Sequence, residues 1–186
     1  MYMENINNVP IATGKWGESF SWEINLSPEV PPAELCTAVA CVAITDLDTG
    51  EVVLTRNHRG WEILAGHIED GESVLEALSR EALEEGGFDI SKAVPFGYRK
   101  VTSLAEPATI GREAKYPHPT SYIAYFFAYT NSPIQEITGE EIVESRTFAP
   151  KERDELAQAG ELKEIEQLLI GLGLDAARQP HPPKMI

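Results

Sequence analysis

The most informative segment of this chain covers residues 66–88 and reads GHIEDGESVLEALSREALEEGGF. From Val74 to Ala82 its apolar residues recur at intervals of three and four, the spacing that places side chains on one side of an α-helix. The pattern predicts a helix over 72–86, and the glycine pair at 86–87 supplies its C-terminal stop.

Three glutamates of the predicted helix, Glu81, Glu84 and Glu85, are three and four residues apart and therefore share one face. Like charges at this spacing repel each other by about 0.2–0.5 kcal/mol per pair, which favours a cation held among them. Carboxylate oxygens without a cysteine or a histidine pair are typical ligands of Mg²⁺ or Mn²⁺. Taken alone, however, the charges favour the simpler interpretation of a solvent-exposed acidic helix.

The spacing of the whole segment carries more information than its charges. It fits the pattern Gly-x5-Glu-x7-Arg-Glu-U-x-Glu-Glu-x-Gly-U, where U is usually a bulky aliphatic residue. The seven fixed positions are matched by Gly66, Glu72, Arg80, Glu81, Glu84, Glu85 and Gly87. The segment therefore resembles the Nudix box of the Nudix hydrolase family. Ala82 and Phe88 fill the two U positions, departures that change packing but remove no ligand.

The resemblance implies an α/β fold, the Nudix-type α/β/α sandwich with a mixed β-sheet, over residues 36–172. Members of the family hydrolyse a nucleoside diphosphate linked to another group, by attack of water on phosphorus. The resemblance thus implies a metal-dependent pyrophosphohydrolase with Mg²⁺ (or Mn²⁺) as cofactor and a small phosphorylated, nucleotide-type substrate.

By position, the resemblance assigns roles to the residues of the box. Glu84 and Glu85 would be the principal metal ligands, and Glu81 a ligand or the general base. Arg80 would orient these catalytic glutamates, and Glu72 would brace the loop against the helix.

The two glycines of the pattern, Gly66 and Gly87, are interpreted as structural. Just before the box, relatives often carry proline and glycine where this chain has Leu64 and Ala65. The carbonyl of Ala65 is predicted as a further metal ligand, as in several relatives.

Outside the box, Glu141 is slightly favoured over Glu140 and Glu144 as an additional catalytic glutamate, and an exposed surface acid is an equal alternative. Arg56 and Arg59 lie in a polar stretch ahead of the box and are candidates for binding the phosphate or base of a substrate. A solvated basic loop is the alternative for both arginines.

The remaining elements follow from apolar runs and turn residues. A buried strand over 37–44 and a second over 51–55 predict a hairpin, and Cys36 and Cys41 would lie on opposite faces of the first strand. Further strands are predicted at 96–104, 121–129 and 141–148. Pro150 opens a helix, and a last helix ends at Gly171 and Gly173.

Two segments flank the predicted domain. Residues 1–35 form an N-terminal extension with a strand near 20–24, which packs on the domain or on the partner of a homodimer. Residues 173–186 form a Pro-rich C-terminal tail.

Composition excludes several classes of protein. Among 186 residues, 15 Lys and Arg stand against 30 Asp and Glu, a net charge of −15 that disfavours binding to polymeric nucleic acid. The longest apolar run, 38–44, is far short of the roughly 20 residues that span a bilayer. The first twenty residues lack a secretory pattern, and the two cysteines are not placed to bridge each other. A cytoplasmic protein without membrane contact is expected.

Three other functions remain open at this stage. The chain could be a catalytically inactive, nucleotide-binding regulator on the same fold, although such proteins usually lack box glutamates. An isoprenyl diphosphate isomerase would need a cysteine and a glutamate near the carbon skeleton. An interaction role for the N-terminal aromatic residues would not explain the clustered glutamates. The motif does not distinguish nucleoside triphosphates, oxidised nucleotides, ADP-ribose, nucleotide sugars and dinucleoside polyphosphates as substrates.

Overall fold

The computed structural model describes residues 9–90, 92–107, 112–130, 136–139 and 141–179. Within these ranges the chain forms nine strands and three α-helices. The strands are β1 Ala12–Trp16, β2 Phe20–Leu26, β3 Cys36–Asp46, β4 Glu51–Asn57, β5 Gly60–Glu62, β6 Leu64–His67, β7 Ala93–Ser103, β8 Thr120–Tyr129 and β9 Glu144–Phe148. The helices are α1 Val74–Gly86, α2 Pro150–Gln158 and α3 Glu164–Ala177.

The strands form one mixed sheet in the order β1-β2-β7-β8-β3-β4-β5. Strands β3 and β8 run parallel, and the other paired strands are antiparallel. The second edge of β3 is shared, because β6 pairs with residues 38–41 and β4 with residues 43–46. Strand β6 therefore lies against the centre of the sheet.

Strand β3 separates two hydrophobic cores. Its side chains at 39, 41 and 43 enter the core beneath α1, and those at 40, 42 and 44 enter the core beneath α3. All six are at least 95% buried, so both faces of the central strand are covered by helix. This arrangement confirms the predicted α/β/α sandwich with a mixed sheet.

Both cysteines are free and buried, as predicted. The prediction that they lie on opposite faces of β3 was wrong. The pairing with β8 is irregular between Cys36 and Ala38, and such an irregularity offsets the alternation of side chains. Cys36 and Cys41 consequently both pack in the core beneath α1.

Helix α1 begins and ends close to the predicted residues. Its N-terminus is a capping box, in which the Ser73 hydroxyl accepts from the Glu76 N–H at 3.3 Å and the Glu76 carboxylate accepts from the Ser73 N–H at 2.8 Å. At its C-terminus Gly87 adopts the left-handed conformation with φ 74°.

The last helix differs from the prediction. Gly171 and Gly173 do not end it, because α3 continues to Ala177 and buries Leu174 and Ala177. Residues 173–177, assigned to the tail from sequence, are thus helical. Gly173 is buried against Val42 of β3, so its lack of a side chain allows close packing and is no stop signal.

Two other predicted element boundaries also differ from those in the structure. The polar stretch at 56–60 is not an open loop, because β4 continues to Asn57 and turns directly into β5. The strand expected from Glu141 begins at Glu144. No helix among the described residues combines the length and apolar character needed to cross a bilayer.

The N-terminal segment joins the main sheet. Strands β1 and β2 form a hairpin, and β2 pairs with β7 over seven residues. The strand predicted at 20–24 is therefore confirmed and packs on the domain. A homodimer formed through this segment stays a prediction. Residues 1–8 and the last part of the tail, 180–186, lie outside the described residues.

The packing of α3 on β3 can be tested with two glycines of the same helix. A methyl group on Gly173 would lie 2.7 Å from Val42 Cγ2, inside a fully packed core. A methyl group on Gly171 would meet nothing within 4 Å. We expect Gly171→Ala to raise the free energy of unfolding by up to about 1 kcal/mol. Gly173→Ala should lower it by about 1–2 kcal/mol, because overpacking outweighs helix propensity.

Denaturant unfolding measures both values. Equal stabilisation by the two substitutions would show that α3 does not pack against Val42 in this way.

Candidate active site

The site is assembled where α1 crosses β6. The carboxylate of Glu81 lies directly on Gly66, so that a Cβ built on Gly66 would be 1.8 Å from Glu81 Cδ. The backbone of Gly66 is not in the left-handed region, so the position requires glycine for space and not for conformational freedom.

Arg80 connects the loop before α1 to the glutamates on it. Its Nε and Nη2 donate to the two carboxylate oxygens of Glu72 at 2.9 and 3.0 Å. Its Nη2 also donates to the carbonyl oxygen of His67 at 2.9 Å. Its Nη1 donates to Glu81 at 2.8 Å and to Glu84 at 3.2 Å. One guanidinium thus holds three carboxylates and the end of β6 in fixed relation.

Glu72 closes the loop onto the helix. Besides its paired bonds with Arg80, its carboxylate accepts from the Glu69 N–H at 3.0 Å. Hydrogen bonding from Arg80 lowers the pKa of Glu72, with the Glu69 N–H acting in the same direction. These contacts join the loop to the helix, and the bracing role of Glu72 stays a prediction.

Glu81 and Glu84 share Arg80 but differ in environment. The Glu81 side chain is 13% exposed and that of Glu84 is 43% exposed. Burial raises the pKa of Glu81 even though Arg80 acts to lower it. Glu84 faces the solvent side of the cluster, while Glu81 lies beneath it against Gly66.

Glu85 lies at the far side of this cluster, next to Ala65. Its Oε2 accepts from the Ala65 N–H at 3.3 Å. Burial, together with the nearby charges of Glu81 and Glu62, raises the pKa of Glu85 to about 8 against the opposing effect of the Ala65 N–H. A partly buried carboxylate with a raised pKa is stabilised in its ionised form by a cation beside it.

The predicted ligands are neighbours, but their side chains do not form a preformed metal-binding site. Among the described ranges, no three histidine, cysteine, aspartate or glutamate side chains are grouped so as to hold one ion. Glu81 and Glu84 instead share a nitrogen of Arg80. Metal ligation by these residues therefore stays a prediction.

Of the two arginines predicted to bind substrate, Arg59 lies closer to this cluster. It donates from Nε and Nη2 to both carboxylate oxygens of Glu62, at 3.1 and 3.0 Å. Its charge also interacts with those of Glu85 and Glu141. Arg56 is exposed, 3.9 Å from Glu144 and stacked over Trp61 at 5.9 Å.

Glu141 is exposed in a turn whose preceding residues bind the end of α1. The N–H groups of Thr138 and Gly139 donate to the carbonyl oxygen of Glu84, at 2.8 and 3.0 Å. Strand β9 follows and pairs with β4. The turn thereby brings Glu141 within electrostatic range of Arg59.

Sequence analysis missed Glu166, which approaches from the opposite side of the sheet. It lies on α3, and its Oε2 accepts from the Ile63 N–H at 3.0 Å. The signal was present, because Glu166 shares a helix face with buried Ile170 and Gly173, where a charge is unexpected. Its partner, 103 residues away, could not be found from sequence.

A short 3₁₀ helix, Arg112–Lys115, and the residue that follows it contact the box loop. Lys115 Nζ lies 2.5 Å from a carboxylate oxygen of Asp70, and the rings of Tyr116 and His67 stack at 6.0 Å. The box loop is thus held by residues far away in sequence as well as by Arg80.

Known proteins are similar to this chain in family pattern and in fold. The NUDIX domain family matches residues 34–168. The fold is similar to that of a pyrophosphohydrolase from Bacillus subtilis, at 19% identity and a TM-score of 0.54, covering 74% of this chain and 77% of that one. It is also similar to a NUDIX hydrolase from Nitrosomonas europaea, at 24% identity and a TM-score of 0.54, covering 78% and 93%. No curated protein sequence matches the chain.

The contact between Gly66 and Glu81 predicts a local loss of function. In Gly66→Ala the methyl group must displace the Glu81 carboxylate, so we expect hydrolytic activity to fall by about 10–100-fold. Thermal unfolding should shift much less, since Gly66 lies at the partly exposed end of β6. Gly171→Ala adds the same group at an open position and serves as the control. Unchanged activity in Gly66→Ala would contradict the close contact.

The bond between Glu72 and Arg80 predicts a stability that depends on pH. Because the folded pKa of Glu72 lies below the unfolded value of about 4.3, its contribution is present above that value and is lost as the pH falls through the folded pKa. Glu72→Gln should lower the free energy of unfolding by about 1–3 kcal/mol at pH 7 and by less in acid.

Denaturant unfolding at several pH values tests this difference. Glu155→Gln, at a surface carboxylate 3.9 Å from Lys151, should change stability by less than about 0.5 kcal/mol. A Glu72→Gln deficit that does not shrink in acid would argue against the assignment.

Proposed function

This chain belongs to the NUDIX family, whose members hydrolyse nucleoside diphosphate derivatives, and we propose that it is a metal-dependent hydrolase of the diphosphate linkage in such a substrate. The observation that carries the proposal is the cluster organised by Arg80. Glu81 and Glu84 contact its guanidinium, and Glu85 lies beside them against Ala65.

The donors of this cluster fit a hard divalent cation such as Mg²⁺ or Mn²⁺. Glu81, Glu84, Glu85 and the carbonyl of Ala65 would hold it, all through oxygen atoms. Glu85 in particular is partly buried and has a neutral N–H as its hydrogen-bond donor, so a cation would stabilise its ionised form. Such an ion supplies Lewis-acid chemistry, offsetting phosphate charge and making bound water more acidic.

The chain's own residues would position the reaction. Arg80 keeps the Glu81 and Glu84 carboxylates at the end of β6, and Glu72 keeps Arg80 in place. Glu81 is the carboxylate most restricted in position, because Gly66 and Arg80 contact it from two sides, and it is a candidate to accept a proton from the attacking water. Glu141 is the second candidate for that role.

Arg59 is the arginine better placed to contact a phosphate. Its charge already interacts with Glu85 and Glu141, while about half of its side chain is exposed. A substrate that is strongly anionic would meet this arginine at the rim of an otherwise acidic site. Arg56, on β4, is farther from the box glutamates and is the weaker candidate for contacting the substrate.

Two alternatives are less well supported. An isoprenyl diphosphate isomerase would need an accessible thiol, whereas Cys36 and Cys41 are buried beneath α1 and burial raises the pKa of Cys36 to about 11. An inactive nucleotide-binding regulator would not need the box complete, and here all seven positions are retained.

The proposal predicts that hydrolysis requires the Glu84 and Glu85 carboxylates. The double variant Glu84→Gln with Glu85→Gln keeps size and hydrogen bonding but removes two charges. We expect kcat on nucleoside diphosphate substrates with Mg²⁺ or Mn²⁺ to fall by about a hundredfold or more. Phosphate-product release over a nucleotide panel provides the measurement, and Glu155→Gln, which removes one carboxylate on the surface of α2, is the control.

Chelation with EDTA should abolish activity in the wild type, and added Mg²⁺ should restore it. Equal turnover in the wild type and the double variant would remove the box from the mechanism. Tight nucleotide binding without turnover under any metal condition would instead support the regulator.

A further inference from the structure

Arg99 of β7 is a charged side chain inside the sheet, only 8% exposed. Aromatic rings surround its guanidinium, whose central carbon lies 4.9 Å from the ring centroid of Trp22, 5.2 Å from Trp16 and 5.8 Å from Tyr125. The side chain points to the α3 face, because Arg99 pairs with Ile24 and Ile123, which both pack on that side.

Two buried donors of this cluster have no acceptor among the described residues. Arg99 forms no hydrogen bond and no ion pair with them, and its Nε is fully buried. The indole Nε1 of Trp22, on the ring stacked against it, is also buried without an acceptor. Buried donors are nearly always bonded in folded proteins, so two orphaned donors side by side indicate a ligand that brings acceptors.

Glu166 carries the charge opposite to that of Arg99 but does not contact the guanidinium directly. Its carboxylate and Arg99 attract each other electrostatically, and Tyr125 interacts with both charges. The two side chains interact only through this electrostatic attraction and form no salt bridge with each other. One Glu166 oxygen accepts from the Ile63 N–H, and the other makes no hydrogen bond among the described residues. Arg99 and Glu166 therefore bring a donor group and an acceptor group to the α3 side of the sheet, within electrostatic range of each other.

This region adjoins the box glutamates. The Ile63 N–H binds Glu166, and the Ala65 N–H, two residues along the same extended segment, binds Glu85. Two residues of extended chain span roughly 6.6–6.8 Å. The charge of Glu62 interacts with both Glu85 and Glu166, as expected for neighbouring groups. A nucleotide with its phosphates at the box could place its base near Arg99.

We propose that Arg99, Trp22 and Glu166 form the subsite for the base of the substrate and that this subsite prefers guanine to adenine. Guanine presents two acceptors, O6 and N7, which match the paired donors of an arginine, and its amino group donates to a carboxylate. Adenine presents a donor beside N7 and would set an N–H against the arginine. Trp16, 44% exposed, offers a ring face for stacking at the entrance.

The proposal rests on the proposed function for its placement of the phosphates, but the test does not depend on turnover. GDP and ADP are titrated into the full-length protein with Mg²⁺, and affinity is measured by calorimetry. The wild type should bind GDP at least about tenfold more tightly than ADP. Arg99→Met should weaken GDP binding about tenfold or more and change ADP binding less than about twofold. Glu166→Gln should weaken GDP binding severalfold.

Lys100→Met is the matched control, because Lys100 follows Arg99 in β7 and points to the opposite face, and it should bind both nucleotides like the wild type. Thermal unfolding shows whether Arg99→Met is folded. If it is not, Arg99→Lys keeps the charge but lacks the planar pair of donors, and should lose the preference for GDP.

Equal binding of GDP and ADP by the wild type, binding of neither, or an equal loss of both in Arg99→Met overturns the subsite. A preference for GDP without hydrolysis of any substrate would support the subsite and refute the proposed function. Hydrolysis without a preference for guanine would refute the subsite and support the proposed function.

Discussion

The guanidinium of Arg80 is the contact on which the candidate site depends. Its five donors reach Glu72, Glu81, Glu84 and the carbonyl of His67, so a single side chain joins α1, the box loop and β6. The carboxylates of Glu72, Glu81 and Glu84 would otherwise repel one another and separate. A planar, permanently charged group with several donors can hold them at fixed angles, which a lysine could not do.

The sheet gives this contact its rigid base. Strand β3 is buried on both faces, and β6 pairs directly with it, so the end of β6 moves little relative to the core. Glu81 rests on Gly66 of that strand, where any side chain would occupy the space of the carboxylate. The precision of the site therefore comes from backbone packing as much as from the charges themselves.

The segment between β5 and β6 joins the two sides of the molecule. Its Ile63 and Ala65 N–H groups bind Glu166 of α3 and Glu85 of α1, carboxylates that approach from opposite faces of the sheet. A substrate held at the edge of β6 would therefore be close to both helices. In this arrangement the box glutamates lie on the α1 side of the sheet, and the aromatic residues around Arg99 lie on the α3 side.

Local patterns were sufficient to predict α1, its glycine C-terminus and most strands, because helical spacing and turn residues act over short stretches of chain. The same reasoning failed at Gly173, which was interpreted as a stop although it packs on Val42. It failed again at Cys36, where a β-bulge offset the faces. Both errors concern contacts between residues distant in sequence. The bond from Ile63 to Glu166 and the enclosure of Arg99 by Trp16 and Trp22 are of the same kind. Such contacts arise only when the strands and helices have packed, because sequence patterns specify which face of an element is buried but not what it is buried against.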